Sequence, residues 1–270
     1  MSRKYEDFVA SPDPITHRVR LISGNWKMNL NHLEAIALVQ KLHHLMRPED
    51  FRYAEISLHP PFTALRSLQL SFEADRMPFT LGAQNVSDEP SGAYTGEISA
   101  SMLAKLGVGY VIVGHSERRR LFGETSELVA RKALAVHQAG MRPIVCIGES
   151  AKERSDGDTE AVLAAQLTPV LESYPINALG ALVLAYEPIW AIGAGEAAAP
   201  EIVGEIARAI RALVEARVGS EIATSMRIQY GGSVTAGNAQ ALMTIEDIDG
   251  LLVGGASLDA DSFALLVKSA

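Results

Sequence analysis

One cysteine in 270 residues, Cys146, excludes an internal disulfide and fits a reducing compartment. No apolar run approaches the roughly 18 residues that a membrane span needs, so the sequence predicts a soluble, cytoplasmic chain with no membrane partner. Basic residues are the minority charge: 24 Lys and Arg against 32 Asp and Glu leave a net charge of −8, which argues against a nucleic-acid surface. The same deficit means that an anionic substrate must be met by local positive potential, because the global field repels it. The glycine fingerprint of a dinucleotide site does not follow the first strand, and neither a serine elbow nor a metal-ligand cluster occurs, so no metal and no cofactor is expected. No linker-like shift in composition divides the chain after residue 18, which favours one domain.

What is present is a 48% hydrophobic fraction, ample for a core, and a regular rhythm. Residues 1–18 stand outside it: Met1 to His17 mix charges with Pro12 and Pro14, are neither signal peptide nor span, and read as a flexible or surface-draped extension. From Val19 onward short apolar runs appear at Val19 to Ile22, Glu55 to Leu58, Phe79 to Leu81, Tyr110 to Val113, Ile144 to Ile147, Leu182 to Ala185, Arg227 to Gln229 and Gly250 to Val253. Between them lie stretches with helical spacing, such as Leu33 to Met46, Glu127 to Gln138, Ile202 to Ala216 and Ala236 to Met243. Strand-then-helix units repeated in this way predict an α/β fold, a single (β/α)8 barrel of eight parallel strands over residues 19–270, with a doubly wound sheet as the alternative.

In such a barrel chemistry is done at the carboxyl ends of the strands. The sixth run delivers Glu187 there, followed by Pro188, which cannot continue the strand. The segment Pro188 to Gly195, with Trp190 at its tip, is apolar and glycine-hinged, and reads as a lid over a ligand; a core strand with a tight turn and a solvated Glu187 is the competing reading. The first strand ends in Asn25-Trp26-Lys27, whose lysine is either a site cation or an ordinary surface residue. The fourth delivers His115-Ser116-Glu117 at a helix start, where backbone N–H groups would keep the imidazole neutral and Glu117 would pair with Lys27. His59 and Glu149 read as structural, and Cys146 as a buried small apolar residue with no base partner. The run from Gln84 to Glu97 is long for a connector, and reads as a plain surface loop or as one that docks on a second subunit. The last two strands end in glycine pairs, Gly231-Gly232-Ser233 and Gly254-Gly255, where backbone N–H groups bind phosphate in barrels of this kind.

A carboxylate base, a neutral imidazole, a lysine, a phosphate cradle and an apolar lid together fit proton abstraction beside a carbonyl in a phosphorylated sugar, which is aldose-ketose isomerisation. The motifs GNWKMN, AQN, GAYTGEIS, GHSERR, CIGE, AYEPIWAIG, YGGSV and VGGASL resemble, in order, those of the triosephosphate isomerase family. That family is itself a standard example of such an acid/base arrangement. The resemblance implies that Glu187 takes the proton while His115 and Asn25 polarise the carbonyl, and that Lys27, oriented by Glu117, holds the substrate. It implies that the N–H groups of Gly193, Ser233, Gly254 and Gly255 grip phosphate under the lid of Pro188, Trp190 and Gly195. It also implies a homodimer in which the loop carrying Thr95 inserts beside the neighbour's site. Departures from the family pattern are Ala194 and Glu196, where a threonine and a lysine are common, and the N-terminal extension. They leave a four-carbon ketose phosphate as the alternative substrate and a non-catalytic phosphate-binding barrel as a third reading.

Overall fold

The computed structural model describes residues 9–192 and 197–269. Eight strands, β1 (Arg20–Asn25), β2 (Ala54–His59), β3 (Thr80–Ala83), β4 (Tyr110–Val113), β5 (Arg142–Ile147), β6 (Val183–Tyr186), β7 (Arg227–Tyr230) and β8 (Gly250–Val253), pair in sequence order into a closed barrel. Every pairing is parallel, and β1 closes the ring by facing both neighbours, with Gly24 opposite Leu58 on β2 and Val253 on β8. A helix follows each strand, and the principal ones are His32–Leu45, Phe62–Ala74, Ala100–Lys105, Ser126–Gln138, Thr159–Ser173, Pro200–Val218, Ala236–Met243 and Ala260–Ser269. The single-barrel expectation is therefore met and the doubly wound sheet is excluded.

Local chemistry explains where the helices begin. Asn31 accepts the N–H groups of Leu33 and Glu34 at 2.9 and 3.1 Å, while the Glu34 carboxylate accepts the Asn31 N–H at 2.8 Å. That reciprocal cap satisfies donors that a helix start otherwise leaves orphaned. The helix then buries Ala35, Val39 and Leu42, which share one face at 3.6-residue spacing. Pro200 opens the longest helix at a position where a missing N–H costs nothing, and Val203, Ala207, Ile210 and Val214 form its buried stripe. Each fully buried Val, Leu or Ile of this kind contributes about 1.5–3 kcal/mol relative to exposure.

One apolar cluster fills the space between sheet and helices. A second, of Leu21, Tyr110, Ile112, Ile144, Cys146, Val183, Ala185 and Leu252, lies inside the barrel. The rest of the interior is polar. Ser23 and Ser57 hydroxyls meet at 2.8 Å, Ser57 lies 3.0 Å from His59 Nε2, and the Gln229 amide donates to Ser23 Oγ at 2.8 Å. Because Ser23, Gly24 and Asn25 are not apolar, β1 reads short in the sequence; pairing carries it past Ile22 to Asn25.

His59 is fully buried, as its structural reading expects. Its Nδ1 lies 3.0 Å from the Ala83 carbonyl, which can only accept, so Nδ1 carries the proton. Gly82 makes room for the ring, since a Cβ there would come within 2.3 Å of it. Burial, opposed by the Ala83 carbonyl, brings the His59 pKa down from 6.5 to about 4. The unfolded chain therefore takes up a proton at this residue between pH 6.5 and 4 that the folded chain refuses, so stability falls as pH falls through that window. Comparing urea midpoints at neutral pH and near pH 4 should show His59→Gln losing less stability on acidification than the unchanged protein, by up to about 3 kcal/mol.

At the end of the barrel where the strands begin, residues Val9 to Arg18 lie against the body. The Ser11 N–H donates to the Arg52 carbonyl at 2.9 Å, and Arg18 is clamped by Asp249 at 2.5 Å. Residues 1–8 lie outside the described residues. The last helix returns to this same end, where Lys268 Nζ donates to the Leu45 carbonyl at 2.8 Å. Among the described residues no helix is long and apolar enough to cross a membrane.

Candidate active site

The strand ends converge on a cleft of about 580 Å³ lined by Asn25, Lys27, His115, Glu117 and Glu187, and by the glycine turns after β7 and β8. Glu187 directly follows β6. Its backbone N–H donates to the Ile147 carbonyl of β5 at 2.8 Å, so the sheet itself sets where the side chain starts. The side chain is 2% exposed. Its Oε1 lies 2.9 Å from His115 Nε2, and its Oε2 accepts the Ser116 backbone N–H at 2.9 Å. Burial alone would raise the carboxyl pKa. His115 and the Ser116 N–H, with Lys27 behind them, outweigh it and hold the pKa below the ordinary 4.5, so the buried group is an anion.

His115 caps the short helix Ser116–Phe122 with its own ring: Nδ1 accepts the Glu117 N–H at 3.2 Å. An acceptor Nδ1 carries no proton, so the imidazole is neutral and its hydrogen sits on Nε2, facing Glu187. Burial disfavours a second proton, yet contact with Glu187, and then Glu117, lifts the ring's pKa above the usual 6.5. The larger part of that lift belongs to the Glu187 contact. Once the carboxylate turns away, burial, Lys27 and the Glu117 N–H favour the neutral ring, against the Glu117 carboxylate 3.6 Å from Nδ1.

Lys27 has a φ of 52°, in the left-handed region that a residue with a Cβ enters only under constraint. Asn25 Oδ1 accepts its N–H at 3.1 Å and the Gln84 amide holds its carbonyl at 2.8 Å. The ammonium reaches Glu117 Oε1 at 2.6 Å. A Cβ added to Gly254 would lie 3.5 Å from Lys27 Cε, which puts the cation beside the last glycine turn. Ser233, Gly254 and Gly255 all line the cleft, and Gly255 opens a 3-10 turn, Gly255–Leu258.

The lid segment is described at its two ends. Trp190 is not at a tip over the cleft. It sits in the turn Ile189–Ala191, where its Nε1 donates to buried Glu149 at 2.9 Å and its ring lies under the Arg154 guanidinium at 4.6 Å. The tip reading fails because Glu149, itself held by the Tyr186 hydroxyl at 3.0 Å, draws the indole down to the loop's entry. Pro188 is likewise at the entry, and Ile192 is the residue there that lines the cleft. At the far end the Ala198 N–H donates to Tyr230 Oη at 3.3 Å. Gly193, Ala194, Gly195 and Glu196 lie outside the described residues.

Cys146 is buried in β5, where burial and then Glu187 push its thiol pKa well up, so it offers no thiolate. Among the described residues no group of three or more His, Cys, Asp or Glu is placed to hold a metal ion. The loop from Gln84 to Glu97 has a buried stem and an exposed tip that includes Thr95. The Lys132 ammonium donates to Asn85 at 2.8 Å and the Ser87 N–H to Ile98 at 2.8 Å, so the stem is built into the barrel.

The arrangement is suited to moving a proton to or from a carbon acid whose oxygen faces N–H donors. A family model described as triosephosphate isomerase matches residues 20–270. The chain belongs to the triosephosphate isomerase family. The triosephosphate isomerase of Leifsonia xyli is 49% identical over 253 residues, covering 93% of this chain and 97% of its own. That of Streptomyces avermitilis is 47% identical over 254 residues, with 94% and 98% covered. That of Corynebacterium diphtheriae is 48% identical over 253 residues, with 94% and 97% covered.

Three parts of this isomerase site escape a reading by motif. Ser116 contributes its main-chain N–H, which no side-chain pattern reveals. Gln84 acts on the Lys27 carbonyl from a distant loop, and Arg120 lines the cleft from a helix whose charges look like solvated surface. Gly231 shows how tightly the base is packed, since a Cβ there would lie 3.0 Å from Glu187 Cγ. In Gly231→Ala, steady-state kinetics should show kcat reduced about 10- to 100-fold with KM little changed, because the carboxylate is displaced rather than the phosphate cradle.

Proposed function

We propose that the chain interconverts dihydroxyacetone phosphate and D-glyceraldehyde 3-phosphate through an enediolate. The observation that carries this reading is the buried Glu187 carboxylate 2.9 Å from His115 Nε2, in a cleft that also holds Lys27 and two glycine turns. Glu187 takes the proton from the carbon beside the carbonyl and returns it to the neighbouring carbon, so the reaction needs no redox partner. The His115 Nε2–H and the Asn25 amide stabilise the oxygen on which negative charge develops. Lys27, oriented by Glu117, adds positive potential in a chain whose net charge repels the substrate. Phosphate oxygens sit on the N–H groups of Ser233, Gly254 and Gly255, joined by Gly193 from the lid segment.

The resting contacts indicate the order of events. Glu187 must give up the Ser116 N–H and His115 to reach a substrate carbon. Doing so frees the Nε2–H for the substrate oxygen and removes the larger cause of the ring's raised proton affinity. A neutral donor matched to an enediol is thereby available when it is needed.

The relatives carry triose names, and no described residue of the cleft favours the four-carbon ketose phosphate. Under the same reading residues 19–270 are the isomerase domain and residues 1–18 an extension, and the enzyme works in the cytoplasm as a homodimer. Support for the dimer comes from the exposed tip of the loop Gln84 to Glu97, with Tyr94 47% exposed, and from Met28, 95% exposed beside the Lys27 backbone that Gln84 holds.

Assays should give a larger kcat/KM for glyceraldehyde 3-phosphate than for erythrulose phosphate, and Glu187→Gln should lower kcat about 10³-fold with the fold intact; the opposite preference, or unchanged turnover, overturns the reading. Sedimentation should show paired chains, with Thr95→Arg shifting them toward monomers of reduced kcat; a wild-type monomer of full activity counts against the dimer.

A further inference from the structure

At the end of the barrel opposite the cleft, where the strands begin, lies a second cavity of about 740 Å³. That volume falls within the range of small-molecule sites. Its apolar lining includes Phe51, Ile56 and Phe79, with the two phenyl centroids 5.5 Å apart. Glu55, Arg142 and Arg227, from the beginnings of β2, β5 and β7, supply its charge. Val9, Ala10, His17 and Arg18 close one side. This strap precedes the residues that match the family model, which begin at 20.

Arg18 carries no free charge into the cavity. Its three nitrogens donate to Asp249 at 2.5 Å, to the Thr224 carbonyl at 3.1 Å and to the Glu246 carbonyl at 2.8 Å. Among the described residues Glu55 is the one carboxylate in the lining, and Arg227 takes it at 2.7 Å. The Tyr110 hydroxyl donates to Glu55 at 2.7 Å and accepts from Arg227 at 2.6 Å and from Arg142 at 2.9 Å, so its hydrogen-bonding capacity is full. Arg142 is left 3.9 Å from the carboxylate, bonded to a neutral phenol instead, with its side chain 51% exposed. Among the described residues two guanidinium groups thus face one carboxylate, and one positive charge is in excess.

We infer that this cavity is a second ligand site, for a small amphiphilic monoanion. A carboxylate docks on the Arg142 guanidinium, whose planar fork suits a two-point contact. The hydrocarbon or aromatic body lies along the apolar surface that Val9, Val19, Pro78 and Ala181 leave open, Phe51, Ile56 and Phe79 being already buried. A phosphorylated sugar fits poorly, because it brings two negative charges to one surplus cation and little apolar surface to the lining.

The test is calorimetric titration of the full chain with 4-phenylbutyrate, in saturating inorganic phosphate to occupy the cradle at the other end. One equivalent should bind, and the uncharged 4-phenylbutyramide should bind about tenfold more weakly, as should 4-phenylbutyrate to Arg142→Ala. Arg142→Ala should keep full isomerase turnover, which reports that it is folded. No binding by the full chain, equal affinity for acid and amide, unchanged affinity in Arg142→Ala, or loss of binding on adding phosphate would each overturn the inference.

Discussion

A carboxylate that is 2% exposed survives as an anion only if its surroundings replace the water it has lost. At Glu187 the replacement is two N–H donors, one from an imidazole and one from the main chain of Ser116, both at 2.9 Å. The rest of the site follows from that requirement. A neutral His115 can offer an Nε2–H only while its Nδ1 is an acceptor, which the Glu117 N–H ensures, and Glu117 is thereby also placed to hold Lys27. One helix start fixes the Glu187 carboxylate, the His115 imidazole and the Lys27 ammonium together. Closure of the barrel supplies the remaining geometry, because only a ring of parallel strands presents the ends of β1, β4, β6, β7 and β8 to one small volume.

The fold was legible in the sequence because each strand is a short apolar run with a helical stretch behind it. The runs at Tyr110–Val113 and Gly250–Val253 coincide with β4 and β8, and the spacing at Ala236–Met243 marks its helix to the residue. Boundaries failed where the barrel interior is polar. Ser23 and Asn25 extend β1 although neither is apolar, since they face a hydrogen-bonded interior. The convergence of side chains was legible: Asn25, Lys27, His115 and Glu187, read from separate motifs, line one cleft. The site was illegible where the backbone does the work, as at Ser116, and where a long-range bond decides a position. Trp190 is the clearest case, because nothing near it in sequence announces that Glu149 will draw its indole to the loop's entry.

Polar groups at the two ends of the barrel are handled differently. At the strand ends, the charged groups of Lys27, His115, Glu117 and Glu187 line an open cleft and contact one another across it. At the strand beginnings, Arg18 is saturated by Asp249 and two carbonyls, and Glu55 is shared between Arg227 and a phenol. Removing one partner of a buried charge pair is costly, which makes the first of these a fixed clamp. Arg142 departs from this pattern, its guanidinium lying 3.9 Å from the Glu55 carboxylate.

The strap before β1 and the final helix both run to the base of the barrel, the first tied to Arg52 and Asp249 and the second to the Leu45 carbonyl. A tag, a surface linker or a fused protein attached through either end of the described chain would therefore hang from the face remote from catalysis. The molecule can be immobilised or joined to another enzyme without shading the mouth through which its sugar phosphate must diffuse.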